Sequence, residues 1–144
     1  MSKSQLELTN LEVQQLMHGP ALANLLQKEN VPAKTKYWCY RFVKKLSAIS
    51  QDVERVRKDI VVKYASRDEA GKPKIDEKKK IYLFDGDNES LATQEINDML
   101  KEKNLLNMDR IKIDLDNFPE GLISTNDMLG LDTIIDFSGS LPEG

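Results

Sequence analysis

Residues 39–60 read CYRFVKKLSAISQDVERVRKDI, and the spacing of their apolar members decides the fold. Cys39, Phe42, Leu46, Ile49, Val53, Val56 and Ile60 stand 3, 4, 3, 4, 3 and 4 residues apart. That spacing lines them along one side of an α-helix, a heptad seam held for three repeats. Pro32 suits a first helical turn, where its missing N–H has no bond to make. The helix is expected to run from there to about Ala65. At 1.5 Å per residue, a helix of about 30 residues is roughly 45 Å long. Such a helix calls for a long partner, either the first helix of the chain or another copy.

Upstream, Thr9 stands three residues before Glu12, the spacing of a capping box, and Leu8 is placed to staple onto Val13. Leu11, Leu16, Met17, Leu22, Leu25 and Leu26 supply the apolar positions of this first helical segment. Gly19-Pro20 predicts a kink or a split into two short helices. Asn30-Val31-Pro32 ends the segment.

Downstream, SRDEAGKPKIDEKKK (66–80) reads as a polar, mobile, hairpin-like loop broken by Gly71 and Pro73. KIYLF (80–84) alternates and is β-prone, so a strand is expected. DGDN (85–88) is a turn, after which Asn88 or Ser90 caps a third helix that ends near Asn104. RIKIDLD (110–116) alternates strictly, with Ile111, Ile113 and Leu115 on one face. Phe118 to Gly121 reads as a turn. Ser124 or Thr125 caps a last helix carrying Met128, Leu129, Leu131, Ile134 and Ile135, before a loose tail at 138–144.

The expected class is α+β, mainly α. A long N-terminal helical hairpin (1–65) and a polar loop (66–80) precede a small β-α-β-α part (81–144) packed on the hairpin, as one domain. Strands 80–84 and 110–116 are expected to pair. A two-stranded sheet is marginal alone and needs helical cover or a strand from another copy.

A length of 144 residues suits one domain with a modest core. Charged residues make up 31%, an ordinary soluble balance. MSKSQLELTN (1–10) does not read as a signal peptide. No apolar run approaches the roughly 18 residues of a membrane span, so no membrane association is expected. A single cysteine, Cys39, rules out an intrachain disulfide and fits a reducing compartment. Net charge is −3, unevenly spread. Residues 1–65 hold 11 Lys/Arg against 6 Asp/Glu, a net of +5, and residues 66–144 hold 10 against 18, a net of −8. Such halves attract one another within a molecule or between copies, and the acidic total disfavours general nucleic-acid binding.

KTKYWCYRFVKK (34–45) holds five basic residues, no acidic one and four aromatics. In helical projection Trp38, Cys39, Phe42 and Leu46 fall on the seam side. Tyr37, Tyr40, Arg41 and Lys44 form the opposite arc, with Lys45 at its border. Further along, Arg55 and Lys63 add charge, diluted by Asp52 and Asp59. A basic arc with tyrosines fits a protein interface, or a track for phosphates with rings that stack on bases. It equally fits a solvated face whose long stems cover apolar surface.

Catalytic patterns are sparse. His18 is the only histidine, too few for a His/Cys zinc cluster. A Cys39–His18 dyad is conceivable, but Cys39 projects onto the apolar seam, where a thiol is inert packing. DGDNE (85–89) begins like a calcium loop, yet Ile96 stands where the closing Glu belongs, so turn and cap chemistry explain it better. GKPK (71–74) lacks the phosphate-loop pattern, and DLDN (114–117) is one carboxylate pair within an acidic half. No cofactor and no catalytic residue are expected.

LTNLEV (8–13), the helical pattern LxxIxxxVxxV (46–56) leading to KYASRDEAGKP (63–73), RIKIDL (110–115) and LISTNDMLGLDTII (122–135) together resemble a family of small bacteriophage- and prophage-encoded proteins of about this length, with no assigned activity. The resemblance implies a viral context, in host cytoplasm or virion, and transfers no functional residue. The expected function is non-enzymatic: a structural or assembly protein acting through helical surfaces on a homo-oligomeric, phage or host partner. The residues expected at the contact are Tyr37, Tyr40, Arg41, Lys44 and Arg55, with Val61 and Val62 as apolar contacts. The alternatives are a nucleic-acid-binding accessory protein using the same basic face, and an inhibitor of a host protein.

Overall fold

The computed structural model describes residues 6–113 and 123–137. Along the chain it contains β1 (Leu6–Thr9), α1 (Asn10–His18), α2 (Pro20–Gln27), α3 (Ala33–Tyr64), β2 (Ile75–Asp76), β3 (Ile81–Tyr82), α4 (Asn88–Leu100), β4 (Lys103–Leu106), β5 (Ile111–Lys112), α5 (Thr125–Leu131) and β6 (Ile135–Asp136). The class is α+β and mainly helical. The chain forms two compact units, residues 1–50 with 103–144 and residues 51–102. This division cuts at other places than the boundaries at 65 and 80 that the sequence suggests. The far end of the 110–116 strand, the turn at 118–121, the carboxylate pair of 114–117 and the tail lie outside the described residues.

In the first unit, Thr9 closes β1 and caps α1. Its Oγ1 accepts from the Glu12 amide at 3.1 Å, and its own amide donates to Glu12 Oε1 at 3.0 Å. These two bonds complete the capping box and satisfy amides that a helix start leaves open. Leu8 and Val13, the predicted staple, are both fully buried. The chain breaks at Gly19, whose amide donates to Gln15 O, and α2 restarts on Pro20. A Cβ at Gly19 would lie 2.7 Å from that carbonyl oxygen, so glycine is required by the close approach.

β1 was not expected from the sequence, and neither was β4. They pair antiparallel, Leu6 with Leu106 and Leu8 with Asn104. Leu8 and Leu106 face the core while Leu105 stays exposed. Asn104 ties the strand to the helix start: its Nδ2 donates to Leu8 O at 3.1 Å and to Asn10 Oδ1 at 2.8 Å. The third helix therefore stops at Leu100, short of the expected Asn104, because 103–106 is taken by β1. β5 pairs parallel with β6, Ile111 with Ile135. The last helix likewise ends at Leu131, and Ile135 belongs to a strand instead.

One core gathers Leu8, Val13 and Leu16, Leu22 and Leu25, Cys39, Phe42 and Leu46, Leu106, Ile111 and Ile113, and Leu131, Ile134 and Ile135. The seam of α3 is thus covered here by short elements from both ends of the chain, where the sequence suggested one long helix.

In the second unit α3 continues to Tyr64. Val53 and Ile60 are buried, but Val56 is 42% exposed and leaves the predicted seam. A straight α-helix drifts about 20° per heptad against a strict 3.5-residue repeat, so a long seam needs supercoiling to stay covered. The helix ends against Arg67, whose Nη2 donates to Val62 O at 3.0 Å and so satisfies a terminal carbonyl.

The segment expected as a polar loop is ordered by backbone hydrogen bonds. Ser66 N donates to Leu83 O at 2.8 Å, Lys74 N to Ser66 O at 2.7 Å and Leu83 N to Lys74 O at 3.0 Å, so three extended pieces converge. β2 and β3 pair antiparallel, Ile75 with Tyr82. Within the expected 80–84 strand, β3 therefore pairs with its own hairpin partner β2, and β5 pairs with β6 instead. Local closure wins because a short loop joins ends at little entropic cost. Two turns make this possible. Asp68 Oδ1 accepts from the amides of Ala70 and Lys72, with Gly71 at φ 78°. Asp76 Oδ1 accepts from those of Lys78 and Lys79, and Lys80 adopts φ 59°. A side chain in that left-handed region costs roughly 1–2 kcal/mol. Lys80→Gly should accordingly stabilise the protein by about 0.5–1 kcal/mol after the unfolded-chain entropy of glycine is counted, read as a higher urea midpoint.

The cap of α4 also differs from expectation. Asp87 occupies the cap position without a side-chain bond, and Asn88 is already helical.

Candidate interaction site

α3 opens with the basic aromatic stretch, and its rings face outward. Tyr37 is 54%, Trp38 39% and Tyr40 57% exposed, while Phe42 alone of the four is buried. Trp38 is the correction here, because the seam side was expected to cover it. At roughly 100° per residue, Trp38 lies about 40° from Phe42 and about 60° from Arg41, at the flank of the seam. A large indole at a flank is shared between core and surface.

The exposed rings are organised around one guanidinium. The Arg41 guanidinium carbon lies 5.6 Å from the Trp38 ring centroid and 5.8 Å from that of Tyr37. Its Nη1 donates to Tyr37 Oη at 3.2 Å. Tyr37 and Trp38 meet edge to face with centroids 5.5 Å apart. Cation–π contacts at exposed sites contribute about 0.5–1 kcal/mol each, enough to hold rotamers that would otherwise be free. The cluster is thus preorganised at the surface.

Beside it lies a pocket of about 770 Å³. α3 lines it with Lys34, Thr35, Trp38 and Arg41, and the connection from β4 into β5 lines it with residues 107–112. The second wall is built on the core, since Met108 and Ile111 are almost fully buried. Its polar part is held by Arg110, whose Nη2 donates to Asp132 O at 2.6 Å, to Ile135 O at 3.0 Å and to Asp132 Oδ1 at 3.3 Å. Arg110 thereby fastens the wall to the turn before β6. Lys34 and Lys112 are exposed and have no ion-pair partner among the described residues.

Of the residues singled out from the sequence, Arg41 alone lines this pocket. Tyr37 borders it through Trp38 and Arg41, and Tyr40 and Lys44 are exposed on α3 outside the lining. Arg55, Val61 and Val62 belong to the second unit. Arg55 is exposed there, and Val61 and Val62 are half-buried. Close by in that unit, Lys63 Nζ donates to Glu95 Oε1 at 3.2 Å. The Glu95 carboxylate raises the Lys63 pKa through this bond and its charge. Lys34, Trp38 and the 107–112 wall were not singled out. The basic run contained the signal for the first two, but nothing local marks the wall.

Cys39 is fully buried beneath this surface. Burial away from water pushes its thiol from 9.0 up to about 11, the opposite of an activated nucleophile. A thiol-selective reagent should label it only as fast as the fold opens. The sign of the pH effect follows. Below pH 9.0 the thiol is neutral folded and unfolded, and between pH 9.0 and about 11 only the unfolded form ionises. Stability should therefore fall across that interval, by at most about 1.4 kcal/mol per pH unit from this group. Cys39→Val should remove that part of the loss in alkaline urea titrations.

Among the described residues, no helix is long and apolar enough to cross a membrane. No group of His, Cys, Asp and Glu among them is placed to hold a metal ion. Comparison with protein-family models, with curated proteins and with solved structures finds no match.

Proposed function

We propose that this chain is a non-enzymatic interaction protein that binds a protein partner through the surface at the start of α3. One observation carries the reading: Tyr37 and Trp38 are held at the surface around Arg41, with Tyr40 exposed on the same helix. Aromatic residues and arginine are the types that dominate binding energy at protein interfaces. The frame of this surface is the helical hairpin of α1–α2 with α3, a geometry supported by the hydrogen bond from Ser50 Oγ to Gln14 Oε1. The sequence resemblance adds the biological setting, a phage-encoded structural or assembly factor in host cytoplasm or virion. An inhibitor of a host protein uses the same physics.

Light scattering across a salt series tests the reading in its homo-oligomeric form. A defined oligomer that Tyr40→Ala with Arg41→Glu dissolves, at unchanged helicity, supports it. A 16.4 kDa monomer at every salt directs the surface to a different protein.

Lys and Arg among exposed rings also favour a second reading, a nucleic-acid accessory protein. Steeply salt-dependent DNA or RNA binding, weakened by Lys44→Glu, supports that alternative, and no binding at low salt removes it.

A further inference from the structure

The geometry points to a specific occupant for the pocket beside Trp38: we propose an acidic segment of a protein partner, with one large apolar side chain set between carboxylates. This rests on the interaction-protein reading and names the partner's chemistry. The apolar side chain packs against Trp38 and the Met108 wall, and the carboxylates meet Lys34, Arg41 and Lys112.

Size comes first. A volume of about 770 Å³ falls within the roughly 300–1,000 Å³ typical of pockets that enclose a ligand. It admits a side chain with the backbone on either side.

Charge comes second. The lining holds Lys34, Arg41, Arg110 and Lys112 against Asp109 alone. Arg110 is already committed to Asp132 and to the Ile135 carbonyl. The other three cations are exposed, and no ion pair holds them among the described residues. Two or three carboxylates would match them. A nucleic acid is the poorer fit. Nucleic-acid affinity comes chiefly from many phosphate contacts, the pocket offers these three cations, and the chain as a whole carries −3.

Ring geometry comes third. Stacking platforms for bases leave a ring face open. Here the Arg41 guanidinium lies over the Trp38 ring, and Tyr37 and Trp38 meet edge to face. That arrangement suits lateral packing of an aliphatic or phenyl group with a carboxylate on the guanidinium.

Trp38 is the chain's single tryptophan, so its emission reads the pocket directly. The probes are short synthetic peptides of Asp and Glu around a central Phe or Leu. The controls are the same peptides with Ala at the centre, their Lys-for-Glu counterparts and single-stranded oligothymidylate. The expected result is a saturable blue shift with the apolar-centred acidic peptides only. Lys34→Glu with Lys112→Glu should weaken it about tenfold or more, with unchanged helicity. No shift with the acidic peptides overturns the proposal, as does a shift that survives the double charge reversal. A shift with oligothymidylate instead assigns the pocket to nucleic acid and also overturns it. Failure of the pocket alone is distinguishable from failure of the broader reading. A silent Trp38 alongside an oligomer that Tyr40→Ala with Arg41→Glu dissolves leaves the interaction protein standing and removes only this pocket.

Discussion

Phe42→Ala should lower the stability of the protein by about 3–5 kcal/mol, the cost of deleting a fully buried aromatic ring and leaving a cavity. Phe42 has no exposed surface and belongs to the cluster containing Leu8, Val13, Leu46 and Leu131. Those side chains come from both ends of the sequence, so the ring holds together segments that no local interaction joins. Domains of this kind are stable by about 5–15 kcal/mol in total, so one ring is a large share. Urea unfolding should show a lower midpoint at an unchanged slope. Tyr40→Ala, two residues away and 57% exposed, is the control and should change stability by no more than about 0.5 kcal/mol. Equal effects for the two would mean that the face of α3 is assigned wrongly.

The second large effect is expected at the parallel pair. Ile135→Asp should cost about 4 kcal/mol or more and leave the first unit largely unfolded at neutral pH. β5 and β6 have two residues each, too few to be stable by their own hydrogen bonds. The pair exists because Ile111, Ile113, Ile134 and Ile135 are buried together with Phe137. A carboxylate at 135 would have to be dehydrated without a partner. Arg110 does not rescue it, because that guanidinium is held on the backbone oxygens of Asp132 and Ile135. Leu129→Asp gives the contrast: Leu129 is 71% exposed and should tolerate the charge. Circular dichroism melts of the two variants check the difference, and a cooperative, wild-type melt for Ile135→Asp would refute the packing of β6.

The helices of this protein are legible from residue order, and so are the strands at Ile81–Tyr82 and Ile111–Lys112, but their partner strands and every pairing are not. Thr9 and Glu12 announce α1, Gly19-Pro20 its interruption and Pro32 the approach to α3, because helix signals lie within one turn of each other. Alternation marks β3 and β5, but the short strands that pair with them carry no comparable signature. KNLL at 103–106 looks like the end of a helix until Leu6 is found opposite Leu106. IDEKKK at 75–80 reads as the end of a polar, hairpin-like loop, and Asp76 folds it back by accepting from the backbone amides of Lys78 and Lys79.

The candidate site was half visible. Its cations and rings stand in KTKYWCYRFVKK, and Arg41 was singled out. Helical projection then assigned Trp38 to the core, because projection knows the direction of a side chain and not the size of what covers it.

Sequence by itself therefore determined where α1 and α3 start, that α3 is long and apolar on one side, and that its first turns are basic and aromatic. Each of these is set by hydrogen bonds and side chains three or four residues apart. Tertiary structure alone decided which strands pair, that Val56 falls off the seam, that Trp38 stays at the surface and that 107–112 becomes the wall opposite it. These depend on which distant segments exclude water together, a property of the packed chain that no single window of residues contains.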